Sequence, residues 1–523
     1  MDGLEEAKMP SISDDESRHV VIDDRPGHYL CFPDVRLARD GRLVCVYRQS
    51  DQHVATRADL LVSLSDDLGH TWSPPDYLHA GVGHCARLTQ LDDGRLLVID
   101  DHSQSQFWSL DNGRSFHRAP YTGAYMPLPD RVLPIRPDHF LTTAHTQQGE
   151  AALPKIRQAP SEQMVCVSSN QGYTWRHYSV MTFDPNLVLC EASMIRLEDG
   201  GIMAILRENS FVFEPMYFCV SRDEGATWSL PRPTPIVGHR PTIGLTKSGK
   251  LLVTYRNVGP DGGTAAWMGS MEAMDHDFEV HGLHPAPNNP RLTPEGLLIE
   301  NGEGLTEAVR YALRPMTDPE RARAALSAEL KVEEAQEKAC ALHFGGWWRF
   351  FPDRVQPPAK DAEAVTVEPG EVVKITLRFE AGTVAAEVNG VPVGSYPADP
   401  LQAETRAVLF GNAATSEKNG GRHFWRALSL TINEPRYERN FSWRWDHSKG
   451  HPDAYVRARV LELANDRQAN PGDYGYSGWD ALPDGRYFCA YHHGGGDRPG
   501  YQPSRSSHVR GSWFQDSDFT SNP

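Results

Sequence analysis

The sequence predicts an all-β chain, a six-bladed β-propeller with one inserted β-sandwich (jelly-roll) module. Three observations predict it: a hairpin pattern recurs six times, a turn-forming octet recurs four times, and the composition changes once between the fifth and sixth hairpins. Length agrees, because 523 residues exceed what one hydrophobic core holds, roughly 250–300 residues, whereas a repeat array grows by addition. The 44 glycines and 39 prolines fit many turns between short strands.

Each hairpin is an apolar strand, a short turn and a second apolar strand. The copies are DVRLARDGRLVCVYR (34–48), RLTQLDDGRLLVIDD (87–101), SMIRLEDGGIMAILR (193–207), IGLTKSGKLLVTYR (243–256) and GWDALPDGRYFCAYH (478–492). RVLPIRPDHFLTTAH (131–145), third in chain order, is a degenerate copy. Asp-Gly and Ser-Gly at the turn are hairpin formers. The octets read Ser65-x-Asp67-x-Gly69-x-Thr71-Trp72, Ser109-x-Asp111-x-Gly113-x-Ser115-Phe116, Ser168-x-Asn170-x-Gly172-x-Thr174-Trp175 and Ser221-x-Asp223-x-Gly225-x-Thr227-Trp228. Asp or Asn folds back onto nearby N–H groups, Gly supplies positive φ and the aromatic tucks beneath the turn, so these residues are structural. Hairpin plus octet makes a four-stranded blade, and the run SRHVVIDD (17–24) can supply the outermost strand of the sixth.

Roughly 220 residues separate the fifth hairpin from the sixth. Within them, 282–435 carries alternating strand patterns and a Val-Asn-Gly-Val turn, read as a sandwich inserted between blades. The expected domains are therefore 17–281 (blades one to five), 282–435 (the sandwich) and 436–523 (blade six and ring closure). DPERARAALSAELKVEEAQEKA (318–339) is compatible with a surface helix. Of Trp347 and Trp348, at least one is expected in the sandwich core, with stacking on sugar the alternative.

A net charge of −17 excludes a basic nucleic-acid footprint and docking on anionic membranes. No run of about 18 apolar residues suggests a transmembrane helix, and the N-terminal residues show no signal-peptide pattern. Eight scattered cysteines without CxxC spacing read as reduced thiols, and the expectation is a cytoplasmic protein. No cofactor is expected. The adjacent His492 and His493 point to opposite strand faces, so a metal there would need ligands such as His53 or His145 from elsewhere. A hydrogen-bonding role is the simpler expectation.

The octets resemble the Asp-boxes of the sialidase (neuraminidase) superfamily, over about 28–280 and 436–515. The insert resembles the concanavalin-like and laminin-G-like sandwiches that several sialidases carry. Hairpin register locates the expected mouth of the propeller. Nine residues before each turn glycine (His139 in the degenerate copy) stand Phe32, Cys85, Asp130, Glu191, Arg240 and Tyr476. Seven after it stand Arg48, Asp101, Thr146 beside His145, Arg207, Arg256 and His492. Both sets fall at the same end of the inner hairpins.

The resemblance implies roles for several of them. Tyr476 matches the family's nucleophile, Glu191 the glutamate that takes the tyrosine's proton, and Arg207 one arginine of its carboxylate-binding triad. Asp51 resembles the loop aspartate that acts as general acid/base, with Asp59 the alternative. The chain departs from the pattern at Cys31, where the family has its first arginine, and at His492, where it has the glutamate that holds that arginine. The triad's last arginine is missing from NVGPDGGTAAWMGS, and Arg240 and Arg256 can replace its charge.

The expected function is a retaining exo-glycosidase that removes a terminal acidic sugar: sialic acid, another ulosonic acid or a uronic acid. Tyr476, Glu191 and Asp51 are its catalytic candidates. Arg48, Arg207, Arg240, Arg256, His145, His492 and His53 are its substrate-binding candidates. One alternative is a propeller uronate lyase working through Tyr476, histidines and arginine. Another is a non-catalytic glycan-binding protein. In each case the partner is an oligosaccharide or glycoside, while the sequence leaves the oligomeric state open.

Overall fold

The computed structural model describes residues 9–149, 159–209, 214–258, 262–276, 280–283, 290–302, 304, 308–359, 361–398, 406–434, 439–470 and 473–519. Among these the chain is mostly β, in antiparallel sheets with only short helical turns such as Met271–Met274 and Ala454–Arg457. No helix of the described residues is long and apolar enough to cross a membrane. All eight cysteines are buried and unpaired.

Each of the six sequence hairpins forms an antiparallel strand pair: Tyr29–Leu37 with Leu43–Ser50, Arg87–Gln90 with Leu96–Asp100, and Leu133–Arg136 with His139–Gln147. Leu189–Arg196 pairs with Ile202–Glu208, His239–Leu245 with Leu251–Asn257, and Ser477–Ala481 with Tyr487–His493. We call the sheets built on them the first to the sixth, in chain order. In five, four strands follow in succession; the third has a fifth, Thr122–Gly123. His19–Asp23 adds to the outer edge of the sixth sheet by pairing with His508–Phe514. The fourth strand of the fifth sheet is Val460–Asn465, so 282–435 is flanked by strands of one sheet. The expected domain break at 435/436 falls outside the described residues.

The octets fold as their chemistry requires. In the first, Ser65 Oγ donates to Asp67 Oδ1 at 2.8 Å and accepts from Gly69 N–H at 2.8 Å, while Asp67 Oδ1 accepts from Thr71 N–H at 2.8 Å. Gly69 has φ +99°, and a Cβ there would lie 2.7 Å from Phe488 of the sixth sheet. The equivalent glycines of the second, third and fourth sheets press on Val44, Gln106 and Leu141, each in the preceding sheet. Every octet thus braces its own sheet against the one before.

Successive sheets also share hydrophobic cores. The first and second share Val44, Val46, Leu88 and Val98. The sixth and first share Phe488, Ala490, Val35 and Cys45. Between these, the second and third, third and fourth, fourth and fifth, and fifth and sixth are likewise joined.

Side-chain hydrogen bonds on or just before the first strands link the sheets in a cycle. Asp34 accepts from Leu88 N–H (2.9 Å), Thr89 Oγ1 donates to Val132 O (3.2 Å) and Asp130 accepts from Met194 N–H (2.7 Å). Ser193 Oγ accepts from Ile243 N–H (3.3 Å), Thr242 Oγ1 donates to Ser477 O (2.7 Å) and Asp480 accepts from Leu37 N–H (2.8 Å). Arg131 crosses the middle to ion-pair with Asp34 and to donate to Val35 O and Trp479 O. Burial alone would raise the Asp34 carboxyl, but Arg131 and Arg87 outweigh it and hold it at about 2.

Between the third and fourth strands of the fifth sheet lie sheets of seven and eight strands that enclose one core, including Tyr311, Phe344, Leu377, Phe410 and Trp425. The stretch expected as a helix is instead the strand Arg323–Ala335, with Ala324, Leu326, Ala328, Leu330 and Val332 buried in alternation. Its good helix formers carry a period of two, and pairing on both sides overrides their propensity. Trp348 is fully buried in the core, while Trp347, half-buried, packs against a separate cluster of Ala312, Ala407 and Leu409 and lies edge-on to His343.

Replacing Asp34 by Asn removes the buried carboxylate that Arg131 and Arg87 share, and unfolding free energy should fall by about 3–5 kcal/mol. Urea denaturation at neutral pH reads this. The folded carboxyl titrates at about 2, below an unfolded value of about 3.9. Its contribution is therefore fully present above pH ~4 and lost as pH falls towards ~2. The stability gap between wild type and variant should narrow across that window.

Candidate functional site

Three of the first strands open with the same irregularity. Register slips between Cys31 and Asp34, between Cys190 and Ser193, and between His239 and Thr242. The extra residues of these bulges are Phe32-Pro33, Glu191-Ala192 and Arg240-Pro241. Proline suits a bulge because it has no N–H to lose from the ladder. Phe32, Glu191 and Arg240 have φ of +55°, +46° and +43°. Non-glycine residues hold such values at a cost of about 1–3 kcal/mol each, and here all three face one cluster.

Tyr476 is its centre. Its hydroxyl accepts from Arg207 Nη1 at 2.6 Å and donates to Glu191 Oε2 at 3.2 Å. Arg207 also donates to Glu191 Oε1 at 2.8 Å and to Asn209 Oδ1 at 2.7 Å. The Arg256 guanidinium stands 4.3 Å from the centroid of the Tyr476 ring, and that of Arg240 stands 5.7 Å from it. Arg240 donates to Pro129 O and Arg256 to Tyr474 O, which fixes both groups. Arg240 Nη1 and Arg256 Nη2 remain buried with no hydrogen-bond partner among the described residues.

Electrostatics sets the protonation states. Burial would raise Glu191, but Arg207, Arg240 and His145 outweigh it and hold the carboxyl at about 2. Burial raises the Tyr476 phenol; Arg207 opposes this and the Glu191 charge adds to it. Tyr476 is thus a neutral phenol beside an ionised carboxylate. His492 is fully buried, edge-on to the Tyr476 ring at 5.8 Å, with neither ring nitrogen bonded among the described residues. Burial, with Arg256 adding to it, pushes its imidazole down to about 3, so it is neutral. His145 Nδ1 is also without a partner, and burial lowers its pKa.

The structure brings Tyr476, Glu191, Arg207, Arg240, Arg256, His145 and His492 together. Phe32 joins them to a second group. Its ring lies 4.9 Å from Tyr476, 5.7 Å from His492 and 5.8 Å from both His53 and His84. Arg48 packs 5.7 Å over Phe32 and donates to His53 O at 3.1 Å. His53 Nδ1 meets Tyr29 OH at 2.8 Å and Asp473 at 3.1 Å, a trio in which sequence reasoning singled out only His53. Asp51 is exposed and lines a surface pocket with Asp24, Arg25, Arg498 and Tyr501, which includes none of the Tyr476 group. Asp59 is occupied in accepting from Gly81 N–H and Gln49 Nε2.

Among the described residues, His84, Asp101 and His102 offer one ligand atom each within 4.8 Å of one another. His84 is paired with Asp101 at 3.0 Å, and the two imidazoles stack 4.2 Å apart at 17°. Stacked rings direct their in-plane lone pairs side by side rather than at one point, so we assign no metal to them.

No protein-family model matches the chain, and no curated protein matches it in sequence. Solved structures show distant similarity. A protein of unknown function from Dyadobacter fermentans is 17% identical, covering 57% of this chain and 94% of its own, with a TM-score of 0.43. A xylan β-1,4-xylosidase from Bacillus halodurans is 12% identical over 79% of this chain and 89% of its own, TM-score 0.37. Trypanosoma rangeli sialidase in complex with sialic acid is 11% identical over 83% and 85%, TM-score 0.34. The assignment of site residues rests on none of them.

Replacing Glu191 by Gln removes the charge that raises Tyr476 and leaves three guanidiniums around it. One tyrosine should then ionise at lower pH than any does in the same position of wild type. Ultraviolet absorbance titration reads this, and adding Tyr476→Phe should abolish the early step.

Proposed function

We propose that this chain is a retaining exo-glycosidase acting on a terminal acidic sugar, with Tyr476 as nucleophile and Glu191 as its proton acceptor. The observation that carries the reading is the Tyr476 hydroxyl held between Arg207 and Glu191, under two further guanidiniums that have free N–H groups. The six sheets read as blades of one propeller and the two larger sheets as an inserted sandwich.

A phenol of pKa ~10 is a poor nucleophile near neutrality. Arg207 donates to its oxygen and so favours the phenolate that attack requires. Glu191 accepts the proton, although the surrounding cations make it a weak base in the free protein. A substrate carboxylate bound by Arg240 would offset one of the charges holding Glu191 low. Binding of the acidic sugar thereby raises the affinity of Glu191 for the phenolic proton. Arg240 and Arg256 also give a net-acidic chain a local positive field. The loop carrying Asp51 and His53 supplies the acid/base group.

A uronate lyase is the second reading. The observation that favours it is His492 beside Tyr476, whose two ring nitrogens have no partner among the described residues and so are open to a substrate proton.

Turnover of acidic-sugar glycosides distinguishes the readings. A reducing sugar released first as the anomer of unchanged configuration is expected for the glycosidase. An ultraviolet-absorbing unsaturated uronide would establish the lyase instead. Tyr476→Phe should lower kcat/KM by about 10³-fold or more, and unchanged turnover would sink Tyr476 as nucleophile. Arg240→Met should raise KM more for an acidic sugar than for its neutral amide.

A further inference from the structure

We infer that His53, oriented by Asp473 and Tyr29, is the general acid/base of the site in place of Asp51. The inference rests on the glycosidase reading.

The loop after Leu43–Ser50 is fixed at His53. Its N–H donates to Ser504 O at 2.8 Å and its carbonyl accepts from Arg48. Tyr29 OH donates to Asp473 Oδ1, so the same oxygen pair meets His53 Nδ1 as acceptors. That arrangement places the proton on Nδ1 and leaves Nε2 as the atom that exchanges protons with substrate. Asp473 is buried, with a side-chain exposure of 5% against 33% for His53. The carboxylate therefore orients the ring from behind while the imidazole reaches solvent. Burial would raise Asp473, but hydrogen bonds from His53 and Tyr29 outweigh it and keep it ionised.

Position agrees with the role. His53 stands edge-on to Phe32, whose ring lies against Tyr476. The charged and titratable groups facing it are Asp473, Tyr29, Arg48 and His492. Asp51, two residues earlier, is exposed on the rim of a pocket that neither His53 nor the Tyr476 group lines.

In the first step, the imidazolium donates its Nε2 proton to the glycosidic oxygen as the bond from that oxygen to the anomeric carbon breaks. The bonding electrons go to the departing oxygen. The Tyr476 oxygen forms the new bond to the anomeric carbon, and its proton passes to Glu191. In the second step, neutral Nε2 takes a proton from water, whose oxygen attacks the anomeric carbon. The bond to Tyr476 breaks, and Glu191 returns the phenolic proton. One water is consumed per glycoside.

Leaving-group dependence tests the role. His53→Gln is compared with wild type on acidic-sugar glycosides whose leaving groups run from nitrophenol to an unactivated alcohol, with unchanged thermal unfolding verifying the fold. For the alcohol, kcat/KM should fall about 10²–10⁴-fold, and for nitrophenol, which departs without a proton, less than about 10-fold. Asp473→Asn, which removes the carboxylate that orients the ring, should show the same grading with leaving group but a smaller loss for the alcohol. An equal loss across all leaving groups, or the graded loss appearing in Asp51→Asn instead, would overturn the role of His53. Hydrolysis unaffected by Tyr476→Phe, or a wild type that produces only unsaturated uronide, would overturn the reading beneath it and so both.

Discussion

Six side-chain hydrogen bonds on or just before the first strands are the constraint on which the rest of this structure depends. Neighbouring sheets meet face to face and share no backbone ladder there, so the polar groups at their inner edges need other partners. Asp34, Thr89, Asp130, Ser193, Thr242 and Asp480 supply them in sequence, and the last link returns to the first sheet. A buried donor or acceptor left unmade costs about 1–3 kcal/mol, so each link favours one register between two sheets. Arg131 and Arg87 converge on Asp34, so three sheets share one buried carboxylate. Gly478 is glycine for this reason: a Cβ there would lie 2.0 Å from Asp34 Oδ1.

The same constraint creates the site. Asp34, Ser193 and Thr242 must face the neighbouring strand, and in each case a bulge immediately precedes them. The bulge releases Phe32, Glu191 and Arg240 from the ladder and turns them towards Tyr476. Backbone strain at these positions is held by the links beside them, as expected where a rigid scaffold presents a preorganised cluster. Scaffold and site are therefore consecutive residues, and a change at Asp34 or Thr242 should disturb the cluster as well as stability.

Much of this was legible in the sequence, because periodicity fixes register and register fixes which end a residue occupies. Counting from turn glycines placed Glu191, Arg207, Arg240, Arg256, His492 and Tyr476 at one end, and the structure brings their side chains together. In the 318–339 stretch, good helix formers and a helix-compatible charge pattern mask the period-two alternation that pairs it as a strand. Loops escaped the counting altogether. Asp473 lies four residues before the strand Ser477–Ala481, and only its contacts with Tyr29 and His53 reveal it. Asp51 was placed by resemblance of its loop, but resemblance does not determine which of two residues in a turn faces inward. The bulges were invisible too: Phe-Pro and Arg-Pro mark them only once the register slip is known.

Cys31 and His492 belong to one packed unit. Cys31 is buried in an apolar cluster with Tyr29, Phe32, Cys85 and Tyr476, and His492 is neutral against Phe32. A thiol, an imidazole and a phenyl ring thus meet beside the Tyr476 group with no charge among them. A single charge introduced there would be buried unpaired, which costs more than the neutral packing. The remaining cations, Arg207, Arg240 and Arg256, all lie on the Tyr476 side, and Glu191 already neutralises part of their charge. A cluster so arranged suits one anionic group held beside the Tyr476 hydroxyl, while Phe32 and His53 present a ring and an imidazole on the other side.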